Sequence, residues 1–258
     1  MKFSIILVLS LFTSIAFAST ESKDFDINGL KTLELENDAG DIKISVTQDG
    51  KAHISATKVN FGENCTLKMQ RSEDKLDIEV DKKGLFKSGE CKVHFEIKVP
   101  REIALDIKSG SGDLNIIGTK GEVEFFLGSG DAVIDAEIKE LNGKSGSGSL
   151  KISGTIGEAD IKLGSGSIDI DGLTSEAEFK TGSGNLKITY KEAPVKGELD
   201  IKAGSGDATV YLPATSKIST SFISGSGRIY NELGDSSKAP FKISMKAGSG
   251  DLNIKKIQ

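Results

Sequence analysis

Tryptophan is absent from this 258-residue chain, and histidine and cysteine occur twice each. Arginine is confined to Arg71, Arg101 and Arg228, and proline to four positions. Each shortage removes a class of chemistry. His53 and His94 both occupy polar positions of alternating segments, with nothing to mark either as the base of a Ser-His-Asp or Cys-His relay. A histidine-based zinc site is no better supplied. The formal net charge is −5, and acids and lysines interleave instead of forming blocks. Nucleic acid is therefore not an expected partner, because phosphate binding needs basic surface. No run reaches the roughly 20 apolar residues of a membrane-spanning helix. The apolar stretch over residues 3–15 is shorter. With Lys2 before it and Ala16-Phe17-Ala18 after it, it reads as a secretory signal over residues 1–18. The expected mature chain is exported, to the periplasm, the outer cell surface or the medium, with no transmembrane anchor.

An even number of cysteines in an exported chain favours a structural bridge between Cys65 and Cys91. A redox pair is the alternative, but such pairs usually stand as Cys-x-x-Cys.

What the chain has in quantity is glycine, 30 residues of it. Gly-Ser-Gly recurs at Gly110, Gly128, Gly146, Gly164 and Gly182, a fixed step of 18 residues, and again at Gly204, Gly225 and Gly248 after steps of 22, 21 and 23. A period of this size marks stacked coils, each too small to bury its own apolar face. The register supports it. Four and six residues after the first glycine come Leu114 and Ile116, Ala132 and Ile134, Leu150 and Ile152, Ile168 and Ile170. Five and three residues before it come Leu105 and Ile107, Val123 and Phe125, Ala159 and Ile161, Ala177 and Phe179. Period-two alternation on both sides of a glycine corner predicts strand, turn, strand, corner. Gly143 in the column of Phe125, Ile161 and Phe179 leaves room for a neighbouring ring. Antiparallel hairpins are the competing topology, but they do not require a constant repeat length.

The predicted fold is all-β, a parallel β-helix or β-solenoid with about 18–23 residues per coil. Residues 101–258 form the repeat array. Residues 19–100 form a β-rich cap continuous with it, although Leu33, Leu35, Gly40-Asp41, Ile42 and Ile44 reproduce the repeat register once. No comparable cap is expected at the C-terminal coil, which leaves it open to self-association, with Lys255 and Lys256 as edge guards.

Three columns invite a functional reading. The acid after the corner (Asp113, Asp131, Asp207, Asp251) suggests calcium, but Ser149, Ser167, Asn185 and Arg228 interrupt it. Too few oxygens remain for a calcium site, and turn-forming side chains explain the column better. Lys108, Lys144, Lys162, Lys180, Lys202 and Lys246 suggest a polyanion track, but acids two residues away favour a charge-paired face. The insertions in the last three repeats carry every tyrosine, Tyr190, Tyr211 and Tyr230. Insertions on successive coils stack on one edge, and tyrosines there suit contact with a sugar or a protein. No metal or other cofactor is expected.

Lys98-Val99-Pro100-Arg101 leading to Leu105-Asp106-Ile107-Lys108-Ser109-Gly110-Ser111-Gly112-Asp113 resembles the bacterial putative-adhesin family of exported β-solenoid domains, as does the segment from Leu33 to Ile42. The related head domains with a Gly-Ile-Asn-type motif are similar too. The resemblance implies a right-handed β-helix in the bacterial envelope that lacks the catalytic residues of pectin-lyase folds. The expected function is non-enzymatic: an adhesin or interaction module whose partner is a surface or envelope protein or a glycan. The rivals are a carbohydrate-active β-helix enzyme acting on acidic polysaccharide, and a structural or stress-sensing periplasmic protein.

Overall fold

Alternating apolar and polar residues put one set of side chains on one face of an extended segment, and this chain uses that pattern almost throughout. The computed structural model describes residues 18–83 and 89–257, and all their regular structure is β. The leader expected at residues 1–18 lies outside the described residues apart from Ala18. The N-terminal strands are β1 (Ser19–Asp26), β2 (Thr32–Ala39), β3 (Ile42–Val46), β4 (Lys51–Asn60), β5 (Cys65–Ser72), β6 (Lys75–Lys82) and β7 (Lys92–Val99). The middle of the chain forms β8 (Ala104–Ser111), β9 (Leu114–Ser129), β10 (Ala132–Ser147), β11 (Leu150–Ser165), β12 (Ile168–Leu173), β13 (Ala177–Ser183) and β14 (Leu186–Thr189). The last six are β15 (Gly197–Ser205), β16 (Ala208–Leu212), β17 (Ile218–Ser226), β18 (Ile229–Asn231), β19 (Phe241–Ser249) and β20 (Leu252–Lys256).

In the middle of the molecule one repeat is one coil. β9, β10 and β11 each run along one face, round a corner and back along the other. They stack in parallel, so that Ala132 lies beside both Leu114 and Leu150, and Leu150 beside Ile168. The inward columns meet between two parallel sheet faces as one continuous buried core. This is the predicted solenoid. The Gly143 expectation also holds: a methyl group there would strike the Phe125 ring.

Order in space departs from order in sequence at both ends. β2 lies between β6 and β8, and β3 between β7 and β9. The first repeat-like segment is thus a full coil of the stack, and β6 and β7 lie outside it. The antiparallel strands β5, β4 and β1 extend that end, β5 on β6, β4 on β7 and β1 on β4. At the other end β19 lies between β15 and β17, and β20 between β16 and β18. The expectation of an uncapped C-terminal coil is therefore corrected. The last coil in sequence is next to last in space, and Lys255 and Lys256 lie on a strand paired on both sides.

The seventh copy is the physical end, and its residues suit that place. Its inward positions include Thr220 and Asn231 where other coils carry aliphatics. The loop that follows it caps the edge. Thr220 N–H donates to Asp235 Oδ1 at 2.6 Å, and Ser236 N–H to the Ile218 carbonyl at 3.0 Å.

Cys65 and Cys91 are joined, with Cα atoms 5.8 Å apart. The bridge ties β5 to the start of β7 and so fastens the outer N-terminal strands to the stack. Replacing both cysteines by serine is expected to destabilise this end by about 3 kcal/mol, the loop-closure value for a link of this span. Urea titration read by hydrogen exchange on β5 and β6 checks it, and unchanged protection there would contradict it.

Candidate functional site

The acid column after the glycine corner is a device for stacking. Asp131 N–H donates to Asp113 Oδ1 (2.9 Å), Ser149 N–H to Asp131 Oδ1 (2.7 Å) and Asp113 N–H to Asp41 Oδ1 (3.1 Å). At the far end Asp207 N–H donates to Asn185 Oδ1 (3.0 Å), Asp251 N–H to Asp207 Oδ1 (2.8 Å) and Arg228 N–H to Asp251 Oδ1 (2.7 Å). Each carboxylate or amide caps the backbone of the next coil. The column starts at His94, whose Nδ1 accepts from Asp41 N–H at 3.1 Å. It ends at Arg228, which has no coil beyond it to cap. The interruption at Arg228 and the use of His94 both follow from position in the stack.

The lysine column is largely paired, as expected. Lys162 meets Asp160 at 3.0 Å, Lys180 meets Glu178 at 2.8 Å, and Lys202 meets both Glu178 (2.6 Å) and Asp200 (2.7 Å). Hydrogen bonds from Lys180 and Lys202 hold the Glu178 carboxyl below the usual range. Phe126 takes the lysine position in one coil and is 52% exposed.

The three tyrosines are not brought together. Tyr190 is fully buried, edge-on to Phe241 with ring centroids 5.4 Å apart, and its hydroxyl donates to the Ser175 carbonyl at 3.1 Å. Burial pushes its phenol pKa upward. It follows Ala136, Gly154 and Gly172 in the corner column, and its ring fills the wider cross-section that the first long insertion creates. The expectation that Tyr190 contacts a ligand is thereby corrected. Tyr211 is half-buried on the outer face of β16, beside Thr189 and Lys255. Tyr230 lies on β18, about half exposed, with the Arg228 guanidinium 5.7 Å from its ring centroid. β20 separates the two.

Ile223 and Ile229 join Tyr230 as exposed large side chains on the terminal coil, at 61% and 37% exposure. Sequence reasoning missed them as a group. The available signal was the run of polar residues at inward positions of this copy, which marks the end of a stack.

Both histidines are engaged with aspartates. His94 is engaged with Asp41. His53 Nδ1 lies 2.9 Å from Asp24 Oδ1 on β1, and its Nε2 lies 2.9 Å from Asp49 Oδ1 in the β3–β4 turn. The Asp24 hydrogen bond, seconded by Asp49, raises the His53 pKa above its ordinary value, and the His53 hydrogen bond lowers that of Asp49. The imidazolium thus clamps β1 to the stack. Because the folded pKa is the higher one, this contribution is complete below about pH 6.5, the unfolded value, and is lost as pH rises through the raised value. Amide order parameters of β1 are expected to fall across that interval, and His53→Ala to abolish the pH dependence. A pH-independent β1 in the unaltered protein would contradict the clamp.

Among the described residues no group of three or more His, Cys, Asp or Glu could hold a metal ion. Nor, among those residues, is any helix long and apolar enough to cross a membrane.

Two solved structures share this architecture over nearly their whole length. A putative adhesin from Bacteroides fragilis NCTC 9343 aligns at 17% identity over 93% of this chain and 97% of its own, with a TM-score of 0.56. A putative adhesin from Parabacteroides distasonis ATCC 8503 aligns at 15% identity over 94% and 98%, with a TM-score of 0.55. Likeness at these identities establishes the fold alone. No curated protein matches the chain. The family described as Toastrack DUF4097 matches residues 30–255, which takes in the swapped coils at both ends as well as the regular middle. This chain belongs to the Toastrack DUF4097 family.

Proposed function

We propose that the protein is an exported, non-enzymatic interaction module of the bacterial envelope, and that it meets its partner with the terminal coil. The carrying observation is that three of the nine exposed large apolar side chains among the described residues, Ile223, Ile229 and Tyr230, lie on the single coil at the free end of the stack. An exposed apolar group of this kind on a regular polar surface favours a contact role. Tyr230 stacked under Arg228 adds an aromatic with a polar tip, the residue type enriched at binding surfaces. Tyr211, one strand away, would lie at the rim. The bridge between Cys65 and Cys91 supports an oxidising compartment. That related folds are called putative adhesins agrees with a surface or envelope protein or glycan as partner.

The test is capture of envelope material by the exported chain, compared with Tyr230→Ala combined with Ile223→Ser. These side chains are exposed, so the fold should survive, as circular dichroism would verify. The double variant is expected to lose about tenfold or more in affinity. Equal capture by both proteins would overturn the assignment to the terminal coil. Turnover of a polysaccharide by the purified chain would overturn the non-enzymatic reading.

A further inference from the structure

At the opposite end of the molecule the outer surface forms a trough of about 520 Å³ across β1, β4, β7, β3 and the first half of β9. The strand register sets its relief. Ser45 and Ser55 place short side chains in the middle of the sheet, and longer ones rise around them. Most of its charges are already matched. Lys43 pairs with Glu96 at 3.9 Å, and His53 is held between Asp24 and Asp49.

Three groups in the trough remain unmatched, each of a different chemistry. Lys98 stands across from Ser45 and is exposed, and it has no ion pair among the described residues. Asn115 Oδ1 is buried without a hydrogen-bond partner, an acceptor that burial makes costly unless a donor reaches it. Ile117 lies two residues further along β9, 52% exposed, as an apolar platform. A ligand completing all three brings one negative charge, at least one hydroxyl donor and an apolar face.

We propose that this trough binds an acidic sugar residue, a hexuronate unit of a glycan. Its carboxylate meets Lys98, the Asn115 amide turns outward so that its Oδ1 accepts from a ring hydroxyl, and the C–H face of the pyranose lies on Ile117. The serine hydroxyls in the floor supply adaptable donors and acceptors. A free uronate and a uronate within a polymer share this chemistry. The site is remote from the terminal coil and goes beyond the reading given for it, so either can fail without the other.

The experiment is a titration of the exported chain followed by amide chemical shifts. The probes are a glucuronate-containing tetrasaccharide, free glucuronate, the neutral glucose tetrasaccharide and an acidic peptide. The glucuronate tetrasaccharide is expected to shift Ser45, Ser55, Lys98, Asn115 and Ile117 together. The neutral tetrasaccharide should bind about tenfold more weakly, the value of one charge-assisted contact. Lys98→Gln should reproduce that loss while leaving the remaining spectrum unchanged, and Ile117→Ser should weaken both sugars. A response to free glucuronate at the same residues supports the monomer as the recognised unit. No shift at about 10 mM tetrasaccharide, an affinity too weak for recognition, would overturn the proposal. So would shifts mapping elsewhere, full binding by Lys98→Gln, or an acidic peptide bound as tightly as the sugar.

Discussion

Ile254→Asp, near the very end of the chain, is expected to be far more damaging than Ile229→Asp in the copy before it. Terminal segments ordinarily fray and tolerate change. Here the last segment is threaded into the stack. β20 pairs with β16 on one side and β18 on the other, and Ile254 is fully buried. An unpaired carboxylate at that site has neither water nor a partner. The expected loss is about 4 kcal/mol or more, in the range reserved for buried charges. Because β17 and β18 rest on β19 and β20, residues 218–231 should lose hydrogen-exchange protection together with the substituted coil. Ile229 occupies the neighbouring inward column, beside Leu252, but has no coil above it and is 37% exposed. Its replacement should stay within about 1 kcal/mol. Equal effects at the two sites would mean that the coils stack in sequence order after all.

The same swap explains which parts of the fold were legible. Wherever the repeat keeps its 18-residue step, register alone identifies the neighbours, and Leu150 beside Ile168 is one result. Leu33, Leu35, Ile42 and Ile44 carry that register too, and they stack directly on Leu105, Ile107, Leu114 and Ile116. What stayed hidden was the order of coils at each end. Register says which face a residue occupies, but every coil offers the same register to its neighbours. The order is chosen by smaller differences. Polar inward residues at Thr220 and Asn231, in columns that are aliphatic elsewhere, are cheap only at an end, and Arg228 cannot cap a following coil as Asp251 does. Antiparallel additions such as β1 on β4 leave no periodic trace at all.

The candidate surfaces were legible in proportion to how local they are. The lysine column and its acids lie on the same strands, two residues apart, so their pairing could be read directly. Tyr190 could not be placed in the same way. Its insertion widens the coil, and whether the ring turns in or out depends on Phe241, which lies 51 residues away in sequence and in the adjacent stacked segment of the core. The trough needs five strands from four separate stretches of chain, and no spacing along the sequence announces it.

The glycine corner yields the second large effect, because two different constraints coincide there and can be separated. The second glycine of the motif has a positive φ, +124° at Gly166, a conformation that L side chains rarely adopt. A methyl group at Gly166 would also fall on the carbonyl oxygen of Gly148 in the coil below. The first glycine carries only the second constraint: Gly164 lacks the positive φ, but its methyl would meet the Gly146 carbonyl oxygen. Gly29 carries only the first, with φ of +73° and nothing within 4 Å. Gly29→Ala should therefore cost about 1 kcal/mol, the conformational penalty alone. Gly164→Ala should cost about 2 kcal/mol or more, since the obstacle is backbone and cannot swing aside. Gly166→Ala should exceed both, at about 4 kcal/mol, a fall in melting temperature of about 8–16 °C for a chain of this size. Gly50→Ala, with open space and an unstrained backbone, is the neutral control. If Gly166→Ala proved no worse than Gly29→Ala, the coils would not approach closely enough for the lower carbonyl to matter. The glycine repeat would then record turn geometry alone, with no part in how tightly one coil settles on another.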